Sequence, residues 1–461
     1  MKNQKPQLLW FLVLTVSLLT TVAGVEPLRI AEDHRHFVDT DGKAVFWTGD
    51  TGWLLLKKLN REETERYLED RREKEMNVIQ VMVIHHLDET ENAYGVPAFD
   101  AVDVGKIHTT PGNLPGEGDA YDYWDHLEWV LNLANSKGIY LALVPLWGNN
   151  VGQHGVTVEA ALTYGRFLGE RFKKYPNIVW INGGDVDGSD YPDVWDALAQ
   201  GILERDQNHI MTFHPRGRMQ SSTWFHDRDW LDFNTFQSGH RRYNQDKSFQ
   251  QYGEDNWRYV VADWAMKPAK PTLDAEPSYE DIPQGLHDID EPLWTDDDVR
   301  RSAYWSVFTG ACGHTYGHNS IMQFCRRSEI PGAYGANTPW EDALNAPGAW
   351  QMRFLRRLME SKPLDGRVSA QEIIVDNPGV RYHQQVATKG DGYALIYTYM
   401  GDPIKVQLGF LEGAQIKASW FNPRNGSVRL IGTFENDGVQ TFDPFGDVKE
   451  GNDWVLILET L

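Results

Sequence analysis

From residue 44 to about residue 360, short apolar runs alternate with longer amphipathic ones, and this alternation constrains the fold more than any other feature. The short runs are Ala44 to Gly49, Asn77 to Ile84, Ile139 to Leu146, Ile178 to Asn182, Ile210 to His214, Asp232 to Phe236, Pro271 to Ala275 and Gly310 to Thr315. Between them, Arg61 to Glu75, Tyr123 to Ser136, Val158 to Lys174, Val194 to Arg205, Phe249 to Met266 and Asp296 to Phe308 read as helices, and Trp350 to Met359 as a last one. In Tyr123 to Ser136, Trp124, Leu127, Leu131 and Ala134 recur at spacings of three and four, which marks one helical face. Eight strand-then-helix units predict an α/β fold, a (β/α)8 TIM barrel over 25–362. A doubly wound open sheet also alternates, but no glycine-rich phosphate fingerprint follows the first strand.

After Lys362-Pro363 the period changes. Runs of period two at Tyr393 to Tyr399, Lys405 to Leu408, Ile416 to Phe421, Ser427 to Ile431 and Trp454 to Leu458 are separated by turns such as Asn422-Pro423-Arg424-Asn425-Gly426. They predict a small C-terminal antiparallel β-sandwich over 363–461.

At the amino end, Lys2 and Lys5 precede apolar Leu8 to Leu19, with small residues Ala23 and Gly24 behind. This is the pattern of a secretory signal peptide over 1–24, so a secreted or periplasmic protein is expected. The apolar run falls short of the roughly 20 residues of a spanning helix, and no membrane insertion is expected after cleavage. Cys312 and Cys325 are the only cysteines, so one bridge is possible but no disulfide framework. A formal charge of −22 excludes nucleic acid as a general partner, which would require a basic footprint.

In such a barrel the active site lies at the carboxyl ends of the strands. Those ends carry, in order, Asp50 and Trp53; His85 and His86; Trp147 and Asn149; Asp185 and Asp187; His214 and Arg216; Gln237 and His240; Glu276 and Tyr279; and His314, Tyr316 and His318. All eight bear groups that bind polar ligands. The fourth run stops at Asn182-Gly183-Gly184 and then presents Asp185, while the seventh ends Asp274-Ala275-Glu276. Two carboxyl groups across a barrel mouth are what glycosidic cleavage requires, one giving a proton to the leaving oxygen and the other attacking the sugar. The acids need opposite environments, and His240, Tyr316 or an arginine are candidates to keep Glu276 ionised. Asp187 is a rival acid, and Asp274 is either a second ligand or a buried structural carboxylate.

Phe46 to Trp53 (FWTGDTGW), Trp180 to Asp185 (WINGGD) and Leu273 to Pro277 (LDAEP) resemble the apiosidase-like glycoside hydrolases, glycoside hydrolase family 140. Trp420 to Gly426 (WFNPRNG) resembles the β-sandwich that accompanies them, a domain labelled collagen-binding. The resemblance implies a retaining exported enzyme without cofactor that cleaves β-apiosyl links in rhamnogalacturonan II, a plant pectic polysaccharide. It also implies Asp185 as acid/base and Glu276 as nucleophile, with carboxyl groups about 5 to 5.5 Å apart as retention requires. Because apiose there is attached to galacturonic acid, Arg216, Arg218, Arg241, Arg242, Arg326 and Arg327 are candidates for pairing with a uronate carboxylate.

Two other classes compete. One is a metal-dependent hydrolase with ligands from His85, His214 and His240, although the first strand lacks a His-x-His pair. The other is a non-catalytic carbohydrate or matrix binder that stacks sugars on Trp420 or Trp454.

Overall fold

The computed structural model describes residues 24–112 and 120–461; the expected signal peptide lies outside the described residues apart from its last residue, Gly24. Eight parallel strands form the barrel: β1 (Trp47–Thr51), β2 (Val78–Met82), β3 (Tyr140–Val144), β4 (Ile178–Val186), β5 (Met211–Pro215), β6 (Asn234–Gln237), β7 (Thr272–Asp274) and β8 (Gly313–Tyr316). Around them lie α1 (Arg61–Glu73), α2 (Tyr123–Ser136), α3 (Val158–Phe172), α4 (Pro192–Leu203), the single turn α5 (Ser222–Phe225), α6 (Trp257–Ala265), α7 (Asp296–Thr309) and α8 (Pro347–Glu360). This is the TIM barrel that the alternation predicts.

Several helix starts are written in the sequence. Asn60 and Asp122 cap α1 and α2 in reciprocal capping boxes with Glu63 and Asp125, each satisfying amide groups that a bare helix end leaves unpaired. The sixth helix begins at Trp257, later than the apolar spacing suggests. Gln251 and Gly253 take positive φ, and Phe249 stands in solvent, so the chain reaches α6 through a loop.

Strand pairing runs from β5 through β4, β3, β2, β1, β8 and β7 to β6. Between β5 and β6 there is no regular ladder, and side chains close the gap. Thr212 Oγ1 donates to the Phe233 carbonyl at 2.7 Å and Thr235 Oγ1 to the Phe213 carbonyl at 2.5 Å. Met211 N–H donates to Asp232 Oδ2 at 2.7 Å. Nearer the mouth a two-residue strand, Met219–Gln220, pairs antiparallel with β6, wedging the seam open. At the opposite end a three-stranded hairpin (Arg29–Ile30, Phe37–Val38, Ala44–Val45) sets Phe37 against Trp47 and Phe233.

The C-terminal part is built from β9 (Gln385–Gly390), β10 (Tyr393–Thr398), β11 (Ile404–Gln407), β12 (Gln415–Phe421), β13 (Val428–Glu435), β14 (Val439–Phe442) and β15 (Trp454–Thr460). Val368–Ser369, β9, β10, β15, β12 and β13 make an antiparallel sheet, and β11 pairs with β14. Both faces of the larger sheet are buried. Leu395, Tyr397, Val455 and Ile457 pack with Tyr304, Phe308 and Leu355 of the barrel helices, whereas Ala394, Ile396, Leu456 and Leu458 pack with Ile404, Val406 and Phe442. Trp420 is in this second core, and Trp454 packs against it and Phe445, so Trp420 is no sugar platform. Cys312 and Cys325 are buried free thiols, unpaired. No described helix is long and apolar enough to cross a membrane.

The barrel and the sheet share a buried ion pair. Asp453 accepts from Arg300 Nε at 3.0 Å and Nη2 at 3.1 Å. Asp453→Ala leaves Nε and Nη2 of the buried guanidinium without acceptors while Nη1 keeps Asp296 and Gln351, and losing hydrogen bonds to a charged group costs about 2 kcal/mol. A lower midpoint for one shared urea transition is expected, followed by both tryptophan fluorescence and far-UV circular dichroism.

Candidate active site

Alternation along the strands decides which candidates reach the cleft. On β1, Trp47, Gly49 and Thr51 face the barrel interior, so Asp50 points at the helices. Asp50 is fully buried and accepts from Tyr67 OH at 2.7 Å and Arg71 Nε at 2.5 Å. The same parity turns His314 and Tyr316 of β8 outward, and Tyr316 OH donates to buried Glu280 at 2.6 Å. His318 is buried too, its Nδ1 accepting from Ser320 N–H at 3.0 Å at the start of a helical turn. Asp50, Tyr316 and His318 are therefore structural, which corrects their assignment as sugar-binding groups. Asp274 also faces out, bonded to Ser238 and Asn256.

The remaining groups converge. Trp53 and Trp147 floor the mouth at 5.4 Å from each other, and each lies 5.5 to 5.6 Å from the His214 ring. Trp53 Nε1 donates to Tyr279 OH at 2.9 Å. His85 and His86 follow β2 as a half-buried pair with ring centroids 3.8 Å apart. Burial, and then the neighbouring His86, lowers the His85 pKa to about 4.

Glu276 sits between two imidazoles. His240 Nε2 lies 3.0 Å from Oε1, and His240 Nδ1 accepts the Tyr279 N–H at 3.4 Å. That backbone bond leaves the ring one tautomer, with its Nε2–H aimed at the carboxylate. His214 Nε2 lies 3.2 Å from Oε2, and its Nδ1 lies 3.0 Å from the Pro215 carbonyl. A carbonyl on one side and a carboxylate on the other both favour N–H on the ring, and so favour its protonated form. Burial alone lowers its pKa, but the hydrogen bond to Glu276 and the charges of Glu276 and Asp185 raise it overall. For Glu276, burial pushes upward, and the two histidines outweigh it and hold the group well below the usual carboxylate range.

Asp185 ends a bulged segment of β4. Gly183 and Gly184 have φ of 85° and 117°, and Asp185 itself has φ of 53°. A Cβ on Gly184 meets the Trp147 ring at 2.6 Å, so backbone sign and packing both require glycine there. The turn brings an Asp185 carboxyl oxygen within 4.8 Å of one on Glu276. Although Asp185 opens to solvent on one side, desolvation on the other, and then the Glu276 charge, raises its pKa to about 6. Asp187 instead pairs with Arg216 Nη1 at 3.0 Å.

A pocket of about 200 Å³ opens over the wedged β5–β6 seam beside Asp185, walled by Arg216, Arg218, Gln237, His240, Arg241 and His287. Wider hollows, of about 780 Å³ at the amino end of the barrel and about 430 Å³ beside α3, lie away from the carboxylates. Arg242, Arg326 and Arg327 are committed elsewhere, to Glu291, Glu63 and Asp342. Sequence reading missed His287 and Tyr334, which lie in long loops after β7 and β8. Their rings are 5.8 Å apart, and Asp185 and Glu276 add to burial in raising the Tyr334 hydroxyl pKa. No strand-end rule finds them. Donor atoms of Asp185, His214 and Glu276 cluster within 4.8 Å, a grouping that His85 does not join.

A barrel whose mouth carries such a carboxyl pair is that of a glycoside hydrolase, and the comparisons agree. Residues 31–365 match the family model described as "Apiosidase-like, catalytic domain", and residues 368–459 match "Putative collagen-binding domain of a collagenase". The chain belongs to the apiosidase-like family. A solved structure described as a glycoside hydrolase is 44% identical over 94% of this chain and 97% of its own, with a TM-score of 0.87. A glycoside hydrolase family 5 structure from Bacteroides vulgatus is 43% identical over 94% and 93%, with a TM-score of 0.87. No curated protein matches.

Gly184→Ala is expected to fold but lower kcat on any cleaved glycoside by about 100-fold, because displacing a reacting group by about 1 Å costs that much. Steady-state kinetics beside a melting curve checks this.

Proposed function

We propose that the protein is an exported retaining apiosidase, cleaving β-apiosyl linkages in rhamnogalacturonan II with Asp185 as acid/base and Glu276 as nucleophile. The observation that carries the reading is the close carboxyl pair with opposed environments: oxygens within 4.8 Å, one acid raised to about 6 and the other held ionised. That spacing fits retention, where carboxyl groups stand about 5 to 5.5 Å apart; inversion needs roughly 6.5 Å or more to admit water. Protonated Asp185 gives its proton to the leaving oxygen as Glu276 attacks the anomeric carbon. Once Glu276 is esterified its charge is gone, the Asp185 pKa falls, and Asp185 then takes a proton from the incoming water.

Apiose as the sugar rests on the family resemblance. The pocket beside the acid/base supports a uronate next to it, since Arg216, Arg218 and Arg241 line it and Arg218 is only loosely paired, its Nε 3.7 Å from the nearest Asp246 oxygen. The place of His85, His86, Trp53 and Trp147 around the mouth supports carbohydrate recognition by them.

Wild type is expected to release an apiose-linked oligosaccharide from rhamnogalacturonan II, and Glu276→Gln none. Asp185→Asn should lose most activity on the polysaccharide but relatively little on aryl glycosides, whose leaving groups need no proton. Undiminished release by both variants contradicts the assignment. In wild type kcat/KM should fall above about pH 6 as Asp185 ionises, and only at strongly acidic pH as Glu276 protonates; Asp185→Asn removes the upper limb. Arg218→Leu should raise KM for a uronate-bearing substrate about tenfold, a loss in the range of a charged hydrogen bond, with kcat little changed.

The cluster of Asp185, His214 and Glu276 also favours a second reading, a divalent cation held by those three donors. Activity that survives chelation supports the carboxyl pair, and loss restored by added metal supports the cation.

A further inference from the structure

The loop between β6 and α6 carries His240 and Arg241 into the active site, and it is anchored by a residue of the C-terminal domain. Tyr382, in a helical turn (Arg381–His383) before β9, directs its hydroxyl at both oxygens of Glu254, at 3.1 and 3.0 Å. Glu254 is 8% exposed, also accepts from Arg301 Nη2 of α7 at 2.7 Å, and takes the Tyr243 N–H at 3.3 Å. The Arg301 guanidinium stands 4.6 Å from the Tyr382 ring and 5.0 Å from Tyr399. Arg381 lies over the Tyr243 ring at 5.1 Å, and Tyr243 OH donates to Asp255 at 2.5 Å. At the far end of the same loop, Asn256 bonds Asp274, which accepts from Ser238 next to the catalytic strand ends.

We infer that the C-terminal domain is part of the catalytic apparatus, with Tyr382 and Arg381 as positioning residues that fix the β6–α6 loop and so the His240 donor to Glu276. The wedged seam denies β6 a regular neighbour on that side, and residues 240–256 form only one short 3-10 turn, Tyr243–Gln245. Barrel groups hold the loop's first half, with Gly285 N–H and Trp294 Nε1 on the His240 carbonyl at 2.7 and 3.0 Å and Glu291 on Arg242, while Tyr382 acts on its second half at Glu254 and Arg381 on Tyr243. Of its fixed points, those at Tyr243 and Glu254 belong jointly to barrel and sheet. A domain held this way, with its tryptophans packed on its own core, acts through the loop.

Hydrogen exchange followed by mass spectrometry on the full chain tests this without any substrate, so failure to find a cleaved sugar bears on the apiosidase reading alone. Tyr382→Phe is expected to speed exchange across residues 240–255 about tenfold, as loss of a hydrogen bond to a charged group allows. Tyr393→Phe is the control. It removes a hydrogen bond to the Pro363 carbonyl at the opposite end of β10, and it should leave the loop unchanged. On any glycoside that wild type cleaves, Tyr382→Phe should also lower kcat more than it raises KM, because the His240 donor to Glu276 is less firmly held. If Tyr382→Phe does not fold, exposed Arg381→Ala takes its place with the same expectation. Unchanged loop exchange, or equal loosening in Tyr393→Phe, overturns the inference.

Discussion

A carboxylate taken out of water stays ionised only where fixed donors replace the water, and at Glu276 those donors are two imidazoles. Each is oriented from behind by backbone, His214 by the carbonyl of Pro215 and His240 by the amide of Tyr279. The imidazoles themselves come from β5 and from the loop after β6, so their meeting at Glu276 depends on the barrel being closed at the β5–β6 seam. Thr212, Thr235 and Asp232 make that closure with side-chain bonds. The same seam, wedged open nearer the mouth, leaves room for the pocket beside Asp185.

Asp185 stands in the opposite electrostatic condition for a related reason. Two glycines with positive φ and the Trp147 ring below them lift it toward Glu276, so that the negative charge stabilised on one acid raises the pKa of the other. The two carboxyl groups are thus linked in one direction, the charge that the histidines hold on Glu276 adding to desolvation in raising the Asp185 pKa. In the proposed double displacement, esterifying Glu276 would remove its charge and leave desolvation alone to raise the Asp185 pKa, a change in the direction that the switch from acid to base requires.

Much of this was legible in the sequence. Strand and helix periods identify the barrel, turns of the Asn-Pro-Arg-Asn-Gly kind identify the all-β end, and the strand-end rule finds Asp185, Glu276, His214, His240 and Trp147. It fails where side-chain parity decides, since Asp50 and Tyr316 lie at strand ends yet face the helices, and one residue of register separates the two outcomes. Parity was available from Trp47, Gly49 and Thr51 but needs the interior face to be known. What no periodicity carries is contact between distant loops: His287 beside Tyr334, or Tyr382 on Glu254, joins segments whose spacing in the chain is arbitrary.

The central claim is that Asp185 and Glu276 act by double displacement, and the configuration of the first sugar released tests it most directly. Proton NMR during the first minutes of cleavage, before mutarotation, is predicted to show the newly formed anomer with the configuration of the bond that was cut. Initial appearance of the opposite anomer would contradict the account, because inversion needs carboxyl groups roughly 6.5 Å or more apart to admit a water, and here one oxygen of each lies within 4.8 Å of the other's.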